Sequence, residues 1–364
     1  MPDLSICIIA YNIEDYIDEN LASVFAQKTK YSFEILIGDD GSTDGTIDKI
    51  IEWQKKYPKV ITYYQMDRDK NKNYRLMPRV SHNRVNLMLH AKGKYITFLD
   101  GDDVYKTKDF FEKAIKTLNK KENEDCSVYA GNTEAFWGIG RCKKISSLKT
   151  GKIELSQYWE EMYTHSGACI YRNKFFFDVR LRQYFDDNII TFLALTNGKL
   201  YAVKNTVISL RQRGKSFWLL SDIEQALYNF NIYSIICQIA PQYRKISNKR
   251  YANTFEVINQ HMPEITVDNY PHIYLTAKEI NSEILLKIFM QNNKISKENT
   301  KEKIYQIAKN ILKPVKKIPV NKTIIDENMK NLLREELDRG FKQNGFAMEK
   351  KGSLDVFTEM LKMQ

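Results

Sequence analysis

YITFLDGDDVY, residues 95–105, decides the fold. Tyr95 to Leu99 are β-branched, aromatic or apolar side chains of the kind that favour a buried strand. The run then ends in Asp100, Asp102 and Asp103, three carboxylates within four positions. Charges this close repel, so the turn is either solvated or arranged around a cation. If extended geometry persists past Leu99, Asp100 and Asp102 project to one side and Gly101 leaves room for a close approach. Such a pair suits Mg²⁺ or Mn²⁺, which take one or two protein oxygens and complete their shell with phosphate and water.

Upstream of this strand the chain alternates strand and helix signals. LSICII (4–9), FEILIG (33–38), VITYYQ (60–65) and KYITFL (94–99) read as strands. Between them, Ile17, Leu21, Val24 and Phe25 fall at helical spacing, and further helices are expected over Thr46–Lys56 and Arg79–His90. The alternation predicts an α/β fold with a mostly parallel sheet sandwiched by helices. In such sheets ligands bind beyond the carboxyl ends of the strands. Asp39-Asp40 and the Asp100–Asp103 turn should therefore share one rim.

Beyond about Lys215 the pattern becomes helical. Ile304, Ile307, Ala308, Ile311 and Leu312 form one apolar stripe, and Met329, Leu332, Leu333 and Leu337 a second. The expected organisation is a catalytic domain over 1–216 and a helical domain over 217–364, with the boundary near Ser216.

Composition narrows the function classes. A hydrophobic fraction of 43% and a charged fraction of 28% are those of a globular protein. No apolar run reaches the roughly 20 residues that cross a bilayer, and the amino-terminal stretch lacks the basic lead-in of a signal peptide, so a cytoplasmic location is expected. Five scattered cysteines without CxxC spacing read as reduced thiols. The net charge of +11 points to an anionic partner: nucleic acid, a membrane surface or a phosphorylated substrate. Nucleic-acid binding competes as a reading, but zinc-finger and RNP-type motifs are missing and a rim of aspartates would repel phosphate unless loaded with metal.

Taken in order, IIAYN, IGDDGSTDGT, AKGKYITFLDGDDVY and FDDNI resemble glycosyltransferase family 2, the GT-A fold enzymes that use nucleotide sugars; the likeness covers roughly residues 3–215. It implies an inverting, metal-dependent transfer, most often from a UDP-sugar, to a hydroxyl of a growing bacterial surface glycan such as capsule or lipopolysaccharide. It makes Tyr11 a wall of the nucleobase pocket and Asp40, beside Asp39, the acceptor of a base hydrogen bond. Asp100 and Asp102 match the DxD motif, the first toward the ribose and the second toward the Mn²⁺ or Mg²⁺, with Asp103 as a further metal candidate. Arg79 and Arg84 match positions that direct an arginine at the nucleotide, although Val85 stands where the family usually has Asn.

The same resemblance makes Asp187, with Asp186 as alternate, the base that takes the acceptor proton. The pair equally suits the cap of a helix over Asn188–Leu195. His165 and Ser166 occupy the segment that lines the sugar side. Arg211, Arg213 and Lys215 match a closing loop over the diphosphate, without its frequent histidine. A non-catalytic GT-A scaffold is a third reading, opposed by the intact acidic motifs. Between Lys294 and Lys317 stand eight lysines and two glutamates. They belong either to a solvated helix face or to a surface that meets an anionic membrane carrying a lipid-linked acceptor.

Overall fold

The computed structural model describes residues 1–66, 76–137, 142–146, 148–174, 184–212 and 221–292. They fall in two compact units, 1–212 and 221–292.

The first unit is built on β1 (Leu4–Ala10), α1 (Ile17–Phe25), β2 (Phe33–Asp39), α2 (Thr46–Lys56), β3 (Ile61–Gln65), α3 (Leu76–His90) and β4 (Tyr95–Asp100). These match the expected strands and helices. All seven residues of β1 are buried, as a strand with neighbours on both sides and helices on both faces requires. It pairs in parallel with β2 and with β4, and β2 with β3. Consequently Ala10, Asp39 and Asp100 end their strands on one rim.

Downstream come β5 (Val104–Tyr105), α4 (Phe110–Leu118), β6 (Cys126–Phe136), β7 (Cys142–Lys144), β8 (Gly151–Ile153), α5 (Leu155–Glu161), β9 (Cys169–Arg172), α6 (Asp187–Leu195) and β10 (Lys199–Arg211). Among the described residues they complete a ten-stranded sheet with the path β3-β2-β1-β4-β9-β6-β10-β5. Here the sheet turns mixed: β9 runs antiparallel to β4 and β6, while β10 is parallel to β6. The insertion of β9 beside β4 brings the start of HSGACIYRN against the acidic turn.

The core beneath the rim is aliphatic and aromatic. Ile6, Ile8, Ile35, Ile37 and Leu99 are fully excluded from water, as are Phe111 and Ile115 of α4. Each such side chain contributes about 1.5–3 kcal/mol on burial. Asn83 of α3 donates Nδ2 to the Gly38 carbonyl at 2.7 Å, and a Cβ on Gly38 would lie 1.9 Å from Asn83 Oδ1. That glycine lets the helix lie against β2.

The second unit holds α7 (Asp222–Ile239), α8 (Arg244–Arg250), α9 (Ala252–Gln260), α10 (Pro271–Glu279) and α11 (Glu283–Asn292). Ser221 and Glu224 form a capping box on α7, and Phe230 packs edge-on against Phe255. No described helix is long and apolar enough to cross a membrane. Arg213, Lys215, the boundary at Ser216, the lysine-rich stretch and both apolar stripes lie outside the described residues.

Candidate active site

The acidic turn is fastened from three sides. Its own amides close it: Gly101 N–H donates to the Ile9 carbonyl at 2.9 Å and Asp103 N–H to the Asp100 carbonyl at 3.0 Å. Asn20 of α1, wholly buried, donates Nδ2 to the carbonyls of Asp100 and Asp103 at 3.0 and 2.7 Å. From β10, the Arg211 amide donates to Asp103 Oδ1 at 2.8 Å and Nε to the Asp102 carbonyl at 3.1 Å. The Arg211 guanidinium also reaches Glu19 at 2.5 Å and lies 4.7 Å from the Tyr16 ring centre. Its contacts hold the turn.

Across from this turn stands Asp187, the first residue of α6. Its Oδ1 accepts from Ser166 Oγ at 2.5 Å and from the Ser166 amide at 3.2 Å. Asp186 is the helix cap instead, its Oδ1 accepting from the Ile189 amide at 2.9 Å. Two basic side chains span the gap between the walls. Arg84 donates to Asp100 Oδ1 at 2.9 Å and lies 3.6 Å from Asp187 Oδ1. His165 Nε2 lies 3.6 Å from Asp100 Oδ2 and 3.5 Å from Asp187 Oδ2.

The electrostatics follow from this crowding. Burial works against the charge of Arg84, but Asp100 and Asp187 outweigh it and hold the guanidinium firmly protonated. Burial likewise opposes ionisation of Asp100, and Arg84 and then His165 reverse that, keeping its pKa well below the usual carboxylate range. Burial, reinforced by Asp102, pushes Asp103 the other way. On His165 burial disfavours charge, yet Asp187 and Asp100 raise the pKa to about 9.

At the other end of the rim, the Asp40 amide donates to the Ala10 carbonyl at 2.8 Å, which sets Asp40 level with Tyr11. Asp40 forms a buried ion pair with Arg79 of α3. Asp39 serves the turn: its carboxylate accepts from the Ser42 amide at 2.9 Å and from Ser42 Oγ. Burial raises its pKa ahead of those stabilising bonds. Ser42 Oγ in turn accepts from the Asn12 amide at 2.9 Å, stitching the loops after β1 and β2 together.

Among the described residues, Asp100, Asp103 and His165 form a group whose donor atoms all lie within 4.8 Å of one another. Asp102, expected to be the principal metal ligand, is outside it. The two carboxylates fit a hard divalent cation.

Sequence reasoning missed Asn20. Its signal was present, because Asn20 falls at i+3 from Ile17 and one residue before Leu21, inside the buried stripe of α1. It also missed that Arg84 and His165 join the two acidic walls, a relation between segments far apart in the chain.

Residues 5–179 match the family model described as "Glycosyl transferase family 2". The chain is 38% identical over 153 residues to the poly(ribitol-phosphate) beta-glucosyltransferase of Bacillus spizizenii, which covers 42% of this chain and 22% of that one. It is 31% identical over 185 residues to the GalNAc(5)-diNAcBac-PP-undecaprenol beta-1,3-glucosyltransferase of Campylobacter jejuni, covering 48% and 55%. Thus the chain spans between about a fifth and about half of the length of these curated relatives. Among solved structures, S. aureus TarS 1-349 in complex with UDP-GlcNAc superposes with a TM-score of 0.54 at 16% identity, covering 93% of this chain and 92% of that one. The two share a fold.

Proposed function

Through residues 5–179 the chain belongs to glycosyl transferase family 2, and from that membership we propose that it moves a sugar from a nucleotide donor, a UDP-sugar, to a hydroxyl of a bacterial surface glycan, with inversion at the anomeric carbon. One observation carries the reading: an acidic turn at the strand ends faces a separately held carboxylate, Asp187, across a gap spanned by Arg84. Displacement with inversion needs a leaving-group side and a base side opposite each other.

In this mechanism Asp187 Oδ1 is engaged by Ser166, and Oδ2, with His165 Nε2 at 3.5 Å, keeps a second lone pair to take the acceptor proton. The acceptor oxygen forms its bond to the anomeric carbon as the bond from that carbon to the diphosphate oxygen breaks and the diphosphate leaves with the electron pair. A positioned base of this kind contributes about 10²- to 10⁴-fold. Tyr11 and the Asp40–Arg79 pair would receive the nucleobase, and Asp100 the ribose. Asp100, Asp102 and Asp103 would hold Mn²⁺ or Mg²⁺, which when bound neutralises charge on the departing diphosphate. The catalytic domain would end near Ser216, ahead of a helical domain.

The named relatives support the donor and acceptor classes. TarS is solved with UDP-GlcNAc, the Bacillus enzyme glucosylates poly(ribitol-phosphate), and the Campylobacter enzyme glucosylates an undecaprenol-linked glycan. A lipid-linked acceptor would place the activity at the inner face of the membrane. The test is a UDP-sugar panel with Mn²⁺, scoring acceptor-dependent UDP release with and without EDTA. Turnover that Asp187→Asn abolishes supports the proposal; a fully active Asp187→Asn enzyme removes the assigned base, and EDTA-insensitive turnover removes the cation.

A further inference from the structure

His165 is grouped by distance with Asp100 and Asp103, as though it were a third ligand of a cation. The chemistry of its ring argues otherwise. The Gly167 amide donates to Nδ1 at 3.2 Å, so Nδ1 presents a lone pair to the backbone. A histidine that binds metal through one nitrogen carries its proton on the other and donates it to an oxygen. Here that proton would meet the Gly167 N–H. Ligation through Nε2 requires the neutral form with its proton on Nδ1, and that proton would face the amide. The neutral form with Nδ1 as acceptor and the imidazolium both carry a proton on Nε2, and Nε2 lies 3.6 Å from Asp100 Oδ2 and 3.5 Å from Asp187 Oδ2.

The ring is held where it is. His165 is 6% exposed, and a Cβ on Gly167 would approach Nδ1 to 3.3 Å and Ile208 Cδ1 to 2.6 Å. Glycine at 167 thus lets the backbone amide lie against the ring. The other carboxylate oxygen of Asp187 is already fixed by Ser166. His165 Nε2, 3.5 Å from Oδ2, stands beside the oxygen that Ser166 leaves unfixed.

We propose that His165 is a positioning residue for Asp187, holding an Nε2–H toward Oδ2 of the base and toward Asp100, and that it stands outside the cation shell that Asp100 and Asp103 contribute to. This rests on the glycosyl-transfer reading for its kinetic consequence only.

Two measurements on the full chain test it. Electron spin echo envelope modulation of Mn²⁺ bound with UDP should show no directly coordinated histidine nitrogen, and the spectrum should be the same in His165→Ala as in wild type. In kinetics, His165→Ala should lower kcat by about 10²-fold, the cost of a reacting group misplaced by an ångström, with the donor KM little changed. His165→Gln, which keeps an N–H at similar reach, should recover most of that rate. A histidine nitrogen on the Mn²⁺ overturns the inference and leaves the transferase reading intact. An unaltered kcat in His165→Ala overturns the positioning role. A chain that transfers no sugar from any donor, yet binds Mn²⁺ without histidine nitrogen, would sink the transferase reading and sustain the exclusion of His165 from the metal.

Discussion

Asp186 and Asp187 are neighbours in the chain with separate tasks: Asp186 Oδ1 takes the Ile189 amide at 2.9 Å as the cap of α6, while Asp187 Oδ1 takes Ser166 Oγ at 2.5 Å inside the site. Removing a cap costs about 0.5–2 kcal/mol, so Asp186→Ala should lower the melting temperature and keep most of the turnover. Asp187→Asn should fold normally and lose about 10²- to 10⁴-fold in transfer rate. Melting curves and acceptor-dependent UDP release on the two variants decide it, and exchanged outcomes would swap the assignment.

The first half of the fold was legible because its signals are local. Continuous β-branched and apolar runs in β1, β2 and β4 and a period of 3.6 in α1 each act within about ten residues. The shared rim of Asp39, Asp40 and Asp100 followed from parallel pairing alone. The second half was less legible: β6 through β9 include short strands, and the antiparallel entry of β9 between β4 and β6 depends on packing rather than on any local period. For the same reason the sequence named Asp187 and Arg84 but not their meeting. Arg211 is a further case: its segment was recognisable, but its contacts with Glu19, the Asp102 carbonyl and the Tyr16 ring join parts of the chain far apart in sequence.

Arg84 should be irreplaceable by lysine. Its side chain is buried, and its Nη2 alone serves both Asp100 and Asp187, a buried position that the compact, more strongly hydrated lysine ammonium occupies at greater cost. Breaking a fully buried pair typically costs about 3–5 kcal/mol. With the Asp100 side chain 34% exposed, Arg84→Lys is expected to cost less, about 2–3 kcal/mol. Denaturant titration reads the stability, and a parallel transfer assay should show a loss larger than that of Asp186→Ala. Wild-type stability and rate in Arg84→Lys would mean that the bridge is incidental.

The Asp40–Arg79 pair offers a test of the nucleotide end that needs no turnover. Both side chains are buried, so removing either strands a charge and each single alanine variant should be destabilised. The double variant should cost less than the sum, with a coupling of about 1–3 kcal/mol between the two. UDP titrated by calorimetry in the presence of Mn²⁺ should bind Asp40→Asn more weakly than wild type. Unchanged UDP affinity would confine the pair to a structural role and move the base-recognising acid elsewhere.

Gly101 is the position where backbone alone suffices. A Cβ there would lie 2.3 Å from Ile13 Cδ1 and 2.9 Å from the Ile9 carbonyl oxygen. The isoleucine terminus can swing aside, but the carbonyl belongs to β1 and accepts the Gly101 amide at 2.9 Å. Any side chain must therefore push the turn away from β1, carrying Asp100, Asp102 and Asp103 with it. Overpacking of this kind costs about 1–3 kcal/mol. Gly101→Ala should lose that stability and, by displacing the carboxylates, lose Mn²⁺ affinity as well. Adding Ile13→Val relieves the softer of the two contacts, so it should restore part of the stability and little of the metal binding. If the double variant regains both in full, the carbonyl contact is not what holds the carboxylates in place.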